Sequence, residues 1–351
     1  METLSLSQQR LAGLARAVRA AVAVPTLFVL ALVVIAQPQT AGFAVFGTFA
    51  HLVVVDYDTA GRVRSAEAAV LTVLGAALVS LGILVSTNLL LTAGGAVVIG
   101  VLAESPALAC IRMTALRTVL LLAFMLAAAV PATAGSALPC LAGWLLAGVA
   151  AQPILLLVWF PLRACARTKG RGASPARSPG NLAWIGRAIS NGAAMGLAIL
   201  LTRLLQLDHA FWVVLGVVPL LNPRGNRAIR IFWQQQAGTL IGFMAGALLV
   251  AIIGVHRTWY WAILPLAVFV SAYVSTDVSF MAGQAAFTVF AIVLFCILLP
   301  QQKTAGIARI EDIALGGTVS MTVGALRRGI SAGLDAAREG RIKRTAVPAC
   351  D

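Results

Sequence analysis

Charged residues in this chain come in clusters separated by long stretches that contain none, and that spacing limits the fold more than any motif does. Between Arg19 and Asp56, and again between Glu67 and Glu104, 36 consecutive residues lack Asp, Glu, Lys and Arg; between Arg117 and Arg163 the run is 45 residues. A helix needs about 20 apolar residues to cross a bilayer, so each run holds two spans. Polar turns divide them at Gln37-Pro38-Gln39-Thr40, at Ser86-Thr87-Asn88 and around Pro131 to Pro139. Six further uncharged stretches follow, at 188–202, 209–223, 231–256, 258–276, 278–302 and 313–326. The pattern predicts an all-α polytopic membrane protein of about 12 transmembrane helices. The spans near 188–207, 209–223 and 313–326 are short, and short or broken spans often border a transport site.

Composition agrees. Only 11% of the 351 residues are charged and 60% are hydrophobic, against about 25% charged in soluble domains. This excludes an ordinary cytosolic enzyme, a disordered tail and a secreted disulfide domain. The first span is not expected to be a cleaved signal peptide, because it lacks a small-residue cleavage site and five spans follow it. The cysteines (Cys110, Cys140, Cys165, Cys296, Cys350) form no CxxC and read as small apolar core residues. No HExxH, GxSxG or GxxxxGK[ST] motif and no metal-ligand cluster occurs, so neither catalysis nor a cofactor is expected.

The chain divides into a first membrane half (1–164), a basic linker (165–186), a second membrane half (187–328) and a basic tail (329–351). The halves look alike. The order of basic residue, span, polar turn, Phe43-led span, basic loop and Gly-containing span over Arg19 to Gly75 returns over Arg187 to Gly242 with a Phe211-led span. An even number of spans per half makes this a parallel repeat of two six-helix bundles. With both termini in the cytoplasm, 22 of the 26 basic residues fall on the cytoplasmic side, and only Arg203, Arg257, Lys303 and Arg309 do not. That is a strong positive-inside bias. It assigns the net charge of +14 to topology and anionic headgroups, with no nucleic-acid motif to set against it.

Candidate site residues concentrate in one segment. Phe211 and Trp212 open a short span that ends at Asn222-Pro223; Arg224, Arg227, Arg230, Gln235 and Thr239 follow. Arginines bind carboxylates bidentately and a glutamine can complete such a site without charge. The competing reading is a positive-inside loop with a polar helix start. Glu311 and Asp312 open the last span after Arg309; they are either helix-start carboxylates or part of a charged cluster at the outer mouth that carries protons. Gly238, Gly242 and Gly246, like Gly192 and Gly196, recur every four residues and mark helix-packing faces.

The segment Asp208-His209-Ala210-Phe211-Trp212-Val213-Val214-Leu215-Gly216, the following Asn222-Pro223, the Gly238-Thr239-Leu240-Ile241-Gly242 element and Arg309-Ile310-Glu311-Asp312-Ile313-Ala314-Leu315-Gly316 together resemble the fusaric-acid-resistance (FUSC), or aromatic acid exporter, family. The likeness is clearest over 188–328. It implies a bacterial inner-membrane transporter of two six-helix bundles that exports aromatic or other organic carboxylates. A homo-oligomer and, as in some Gram-negative members, a periplasmic adaptor would be its protein partners. Two departures stand out: no sizeable soluble domain accompanies the spans, and Gln235 stands where the family often has Arg. A passive anion channel and a non-transporting membrane scaffold or envelope factor are the alternatives.

Overall fold

The structure is a computed structural model that describes residues 6–55, 57, 61–104, 114–129, 134–158, 181–207, 210–221, 226–254, 257–298 and 305–345. Among the described residues there are twelve α-helices and no strand. The first six are α1 (Leu6–Val29), α2 (Pro38–Phe49), α3 (Gly61–Val85), α4 (Leu89–Ala103), α5 (Thr114–Ala128) and α6 (Ala134–Pro153). The second six are α7 (Asn181–Leu204), α8 (Ala210–Val217), α9 (Asn226–Ile253), α10 (Arg257–Asp277), α11 (Phe280–Leu298) and α12 (Ala305–Thr345). Asn222, Arg224, most of the linker and the last six residues of the tail lie outside the described residues.

Local chemistry sets the boundaries. Pro38 starts α2 after Gln37 in extended geometry, where its missing N–H costs nothing. Asn88 caps α4, its side chain accepting from the N–H groups of Leu90 and Leu91. Pro219 tightens the end of α8 into the 3-10 turn Val218–Leu220, since it cannot donate the bond an α-helix needs. Helices α1, α2 and α6 each run on into a five-residue π-helical turn, Leu30–Val34, Ala50–Val54 and Ile154–Val158.

Seven of these helices are long and apolar enough to cross a membrane, and Leu89–Ala103, Arg117–Ala128 and Phe211–Leu220 are shorter apolar helices. Their outer faces agree with that placement: Leu240, Ile241, Met244, Leu248 and Ile252 of α9 are all exposed. Such a stripe is a liability in water and ordinary in lipid. The protein is a polytopic all-α membrane protein. Of the three spans expected to be short, one is full length, over Trp184–Leu204, and one lies inside a longer helix. α7 reaches back to Asn181, through Arg187 and into the expected linker, and α12 starts at Ala305, so 313–326 is the interior of a 41-residue helix. A charged residue ends an uncharged stretch without ending a helix when its side chain finds a partner or the interface.

Packing pairs the helices in a regular way. In the first six, α2 and α3 both pack on α6, α3 also on α5, and α1 on α2; six helices later, α8 and α9 both pack on α12, α9 also on α11, and α7 on α8. The two sets meet reciprocally, α1 against α10 and α4 against α7. Each seam is an apolar cluster: Ala17, Ala20, Val24 and Phe28 with Leu264, Val268 and Ala272 on one side, Ala96 and Phe124 with Ala194, Met195 and Ile199 on the other. Glycines permit the closest approaches. A Cβ on Gly238 or Gly242 would run into Met281 or Ala285 of α11, and one on Gly316 into Val213 of α8.

Candidate functional site

Between the two sets of helices lies a cavity of about 410 Å³, within the range that holds small organic ligands. Its wall draws on both: Phe46, Phe49, Ala50 and Val53 from α2 and its π-helical turn, Val119 to Leu126 from α5, Trp144 from α6, Phe211 and Leu215 from α8, Ser271 and Ser275 from α10, and Phe280, Gln284 and Phe287 from α11. Arg16 of α1 is the one charged side chain among the described lining residues. Arg16, Ser275 and Phe280 lie toward the end of the bundle at which α1, α5 and α11 begin and α2 and α10 finish. The lining offers many ring faces, a few hydroxyl and amide groups, and a single guanidinium.

The far wall is aromatic and crosses between the two sets. Phe46 meets Phe211 with centroids 5.4 Å apart, Phe49 meets Phe287 and Phe290 at 5.7 Å each, and Phe211 leans on Trp212 at 5.5 Å. Behind these rings sits Arg309 of α12, 2% exposed. Its guanidinium carbon lies 4.0 Å from the Trp212 ring centroid and 5.1 Å from that of Phe287. Its Nε donates to Thr288 Oγ1 at 3.2 Å, and Thr288 in turn donates to Gln284 O at 2.8 Å. Nη1 makes no hydrogen bond within the protein. Asp312, three residues on and also buried, supplies a counter-charge. The i, i+3 spacing puts both on one helix face.

A second buried polar group lies inside the first six helices. His51, in the π-helical turn after α2, has Nδ1 2.7 Å from Gly47 O and Nε2 3.1 Å from Thr72 Oγ1. The carbonyl can only accept, so Nδ1 carries a proton. Trp144 closes this group on the cavity side, its ring 5.6 Å from the imidazole and its Nε1 donating to Thr72 O at 3.1 Å.

The structure brings together some of the residues singled out by sequence and separates others. Phe211 lines the cavity, and Trp212 lies behind it against Arg309. Gln235 and Thr239 are fully buried on the glycine face of α9, and Gln235 Nε2 donates to Leu215 O at 3.1 Å, tying α9 to the cavity wall. Arg227 and Arg230 are exposed on the first turns of α9 and do not line the cavity. Glu311 is exposed. Because α12 begins at Ala305, Asp312 is not a helix-start carboxylate but a buried one, two turns in. Sequence reading did not find Arg16, Gln284, Phe287 or the depth of Arg309. For Arg309 a signal existed, since it is one of four basic residues off the basic face. For the phenylalanines none did, because Phe is ordinary in any membrane helix.

Residues 197–323 match the family described as fusaric acid resistance protein-like. The match runs from the middle of α7 through α8–α11 into α12, and so takes in Phe211, Trp212, Gln235, Thr239, Phe287, Arg309 and Asp312. No curated protein matches the chain, and no solved structure does. With its lipid-facing helices, the chain is a polytopic membrane protein, and most of its second six helices are similar to the fusaric acid resistance protein-like family.

Proposed function

We propose that this protein carries aromatic or other organic carboxylates out of a bacterial cell across the inner membrane. The cavity between two six-helix repeats serves as its inward-facing binding site. The observation that carries the reading is the cavity itself: about 410 Å³, walled by aromatic rings of both sets, with Arg16 as its charged group. Arg16 stands on the side where the basic residues cluster, which the positive-inside rule makes cytoplasmic. The reciprocal pairing of α1 with α10 and α4 with α7 supports the repeat, and a site between repeats suits alternating access. The aromatic wall, with Arg309 shut behind it, favours a carrier over an open anion channel. Asp312, a buried carboxyl beside that arginine, is the group we assign to proton coupling; Glu311, exposed, fits that role less well.

The test is binding and flux with the purified chain in lipid vesicles. Labelled benzoate should bind saturably and cross the bilayer, and collapsing the proton gradient should slow it. R16Q should weaken benzoate binding about tenfold, the value of one charge-assisted hydrogen bond, and leave neutral benzamide unchanged. No saturable benzoate binding would refute the cavity as the site. Unitary currents in a planar bilayer would replace the carrier with a channel. Flux indifferent to the gradient would remove the proton.

A further inference from the structure

We infer that Arg309 is a second carboxylate-binding group on the translocation path, separated from the cavity by the Phe287 ring, which acts as its inner gate. The inference rests on the cavity reading above and extends it to a step beyond first binding. Three observations carry it. The first is position: Phe287 lines the cavity, Arg309 does not, and the guanidinium lies over the Phe287 ring. The second is incomplete satisfaction: a residue 2% exposed keeps Nη1 without a hydrogen bond inside the protein, while Nε is held by Thr288. A buried guanidinium with a fixed stem and a free donor is pre-organised for one more acceptor, and a carboxylate is the acceptor that matches it.

The third is the way it is held. Trp212 and Phe287 offer ring faces and Thr288 one oxygen, contacts that keep a cation in place without consuming its charge. Asp312 is the resident counter-ion. An incoming carboxylate competes with it for the same guanidinium, so binding is exchangeable instead of terminal. Arg203, less buried, instead places its Nη2 on two backbone carbonyls, Ser86 O and Ala128 O at 2.8 and 2.9 Å. The path is then two steps: the ring of the cargo enters the aromatic cavity, and its carboxylate passes to Arg309 when Phe287 turns aside.

The experiment uses the full chain in lipid vesicles, with labelled benzoate and benzamide as probes. Removing Arg309 alone would strand Asp312 in the interior, which is strongly destabilising, so both charges go together in R309Q/D312N. Assayed as benzoate exchange with no proton gradient, so that Asp312 is not called on as the coupling group, that variant should bind benzoate within about threefold of the wild type, while exchange falls about tenfold or more and its preference over benzamide shrinks to that of binding alone. Wild-type exchange and preference in the folded variant would overturn the inference. A second measurement keeps every charge. In F287A, phenylglyoxal should label Arg309 as well as Arg16, benzoate should protect Arg309 and benzamide should not. Arg309 unlabelled at loadings that modify Arg16 would also overturn it. If wild-type protein binds no benzoate at all, the cavity reading fails instead, a distinct outcome.

Discussion

Arg203 gives the sharpest test of how the two sets of helices are joined. It sits one residue from the C-terminus of α7, and its Nη2 donates to Ser86 O at 2.8 Å and Ala128 O at 2.9 Å. Ser86 follows the last residue of α3, and Ala128 ends α5. Terminal carbonyls have no intrahelical donors and carry the negative end of the helix dipole. One guanidinium from the second set therefore satisfies two helix ends of the first. Hydrogen bonds to a charged group contribute about 1.5–3 kcal/mol each. Both carbonyls lie at helix ends where water can replace part of that, so R203Q should cost about 2–4 kcal/mol in total. R203K keeps the charge but not the reach and planar geometry of Nη2, and should lose about half as much. Thermal melting of the detergent-solubilised chain, followed by tryptophan emission, reads this out as a fall of several degrees in Tm. R230Q, at an exposed site on α9, serves as the control and should melt like the wild type. An R203Q protein that melts with the R230Q control would show that the capping geometry contributes nothing.

The same melt tests three local features. Ala36 and Gln206 have φ of 56° and 53°, a left-handed backbone that costs a side-chain-bearing residue about 1–2 kcal/mol. A36G and Q206G should each raise Tm, and a fall in both would refute the turn geometry. A Cβ on Gly242 would lie 2.7 Å from the Thr288 Cβ and run into Ala285 O, whereas one on Gly94 meets nothing within 4 Å. G242V should therefore lose about 1–3 kcal/mol or more through overpacking, while G94A should gain about 1 kcal/mol of helix propensity. Equal effects at the two sites would mean that α9 and α11 are not in contact.

The sequence made the helix count legible because a charge at membrane depth is costly: each uncharged run had to be a helix or a pair of them, and each polar turn a boundary. The boundary at Ser86-Thr87-Asn88, where Asn88 caps α4, was equally local. What a helix touches was not legible. A membrane helix is apolar on the lipid side and on the protein side, so no polar stripe marks its inward face. Only small residues do, and the Gly238–Gly242–Gly246 face is the case in which they worked. The arginines at 224–230 drew attention because they are charged, yet Arg227 and Arg230 face solvent on the first turns of α9. The arginine that Trp212 meets lies nearly a hundred residues away, placed there because α12 begins four residues before it. Only packing determines that, and one sequence does not encode it locally.

Where the rings and the arginine belong in the fold separates the parts that must move from the parts that must not. Phe46 and Phe49 come from α2, while Phe211 and Phe287 come from α8 and α11. The aromatic wall is thus made only while the two sets of helices stand in this relation. Arg309, Trp212, Thr288 and Asp312 all belong to the second set, so a shift between sets carries them as a body and leaves their contacts intact. The seams that would accommodate such a shift are rich in alanine: Ala17, Ala20, Ala267 and Ala272 on one side, Ala96, Ala194 and Ala198 on the other. Small side chains interlock shallowly, and shallow interlocking is what shear between packed helices requires. On the proposed reading, sliding along α1/α10 and α4/α7 draws Phe46 and Phe49 away from Phe211 and Phe287 while the guanidinium stays seated, which leaves the Phe287 ring room to turn aside from Arg309.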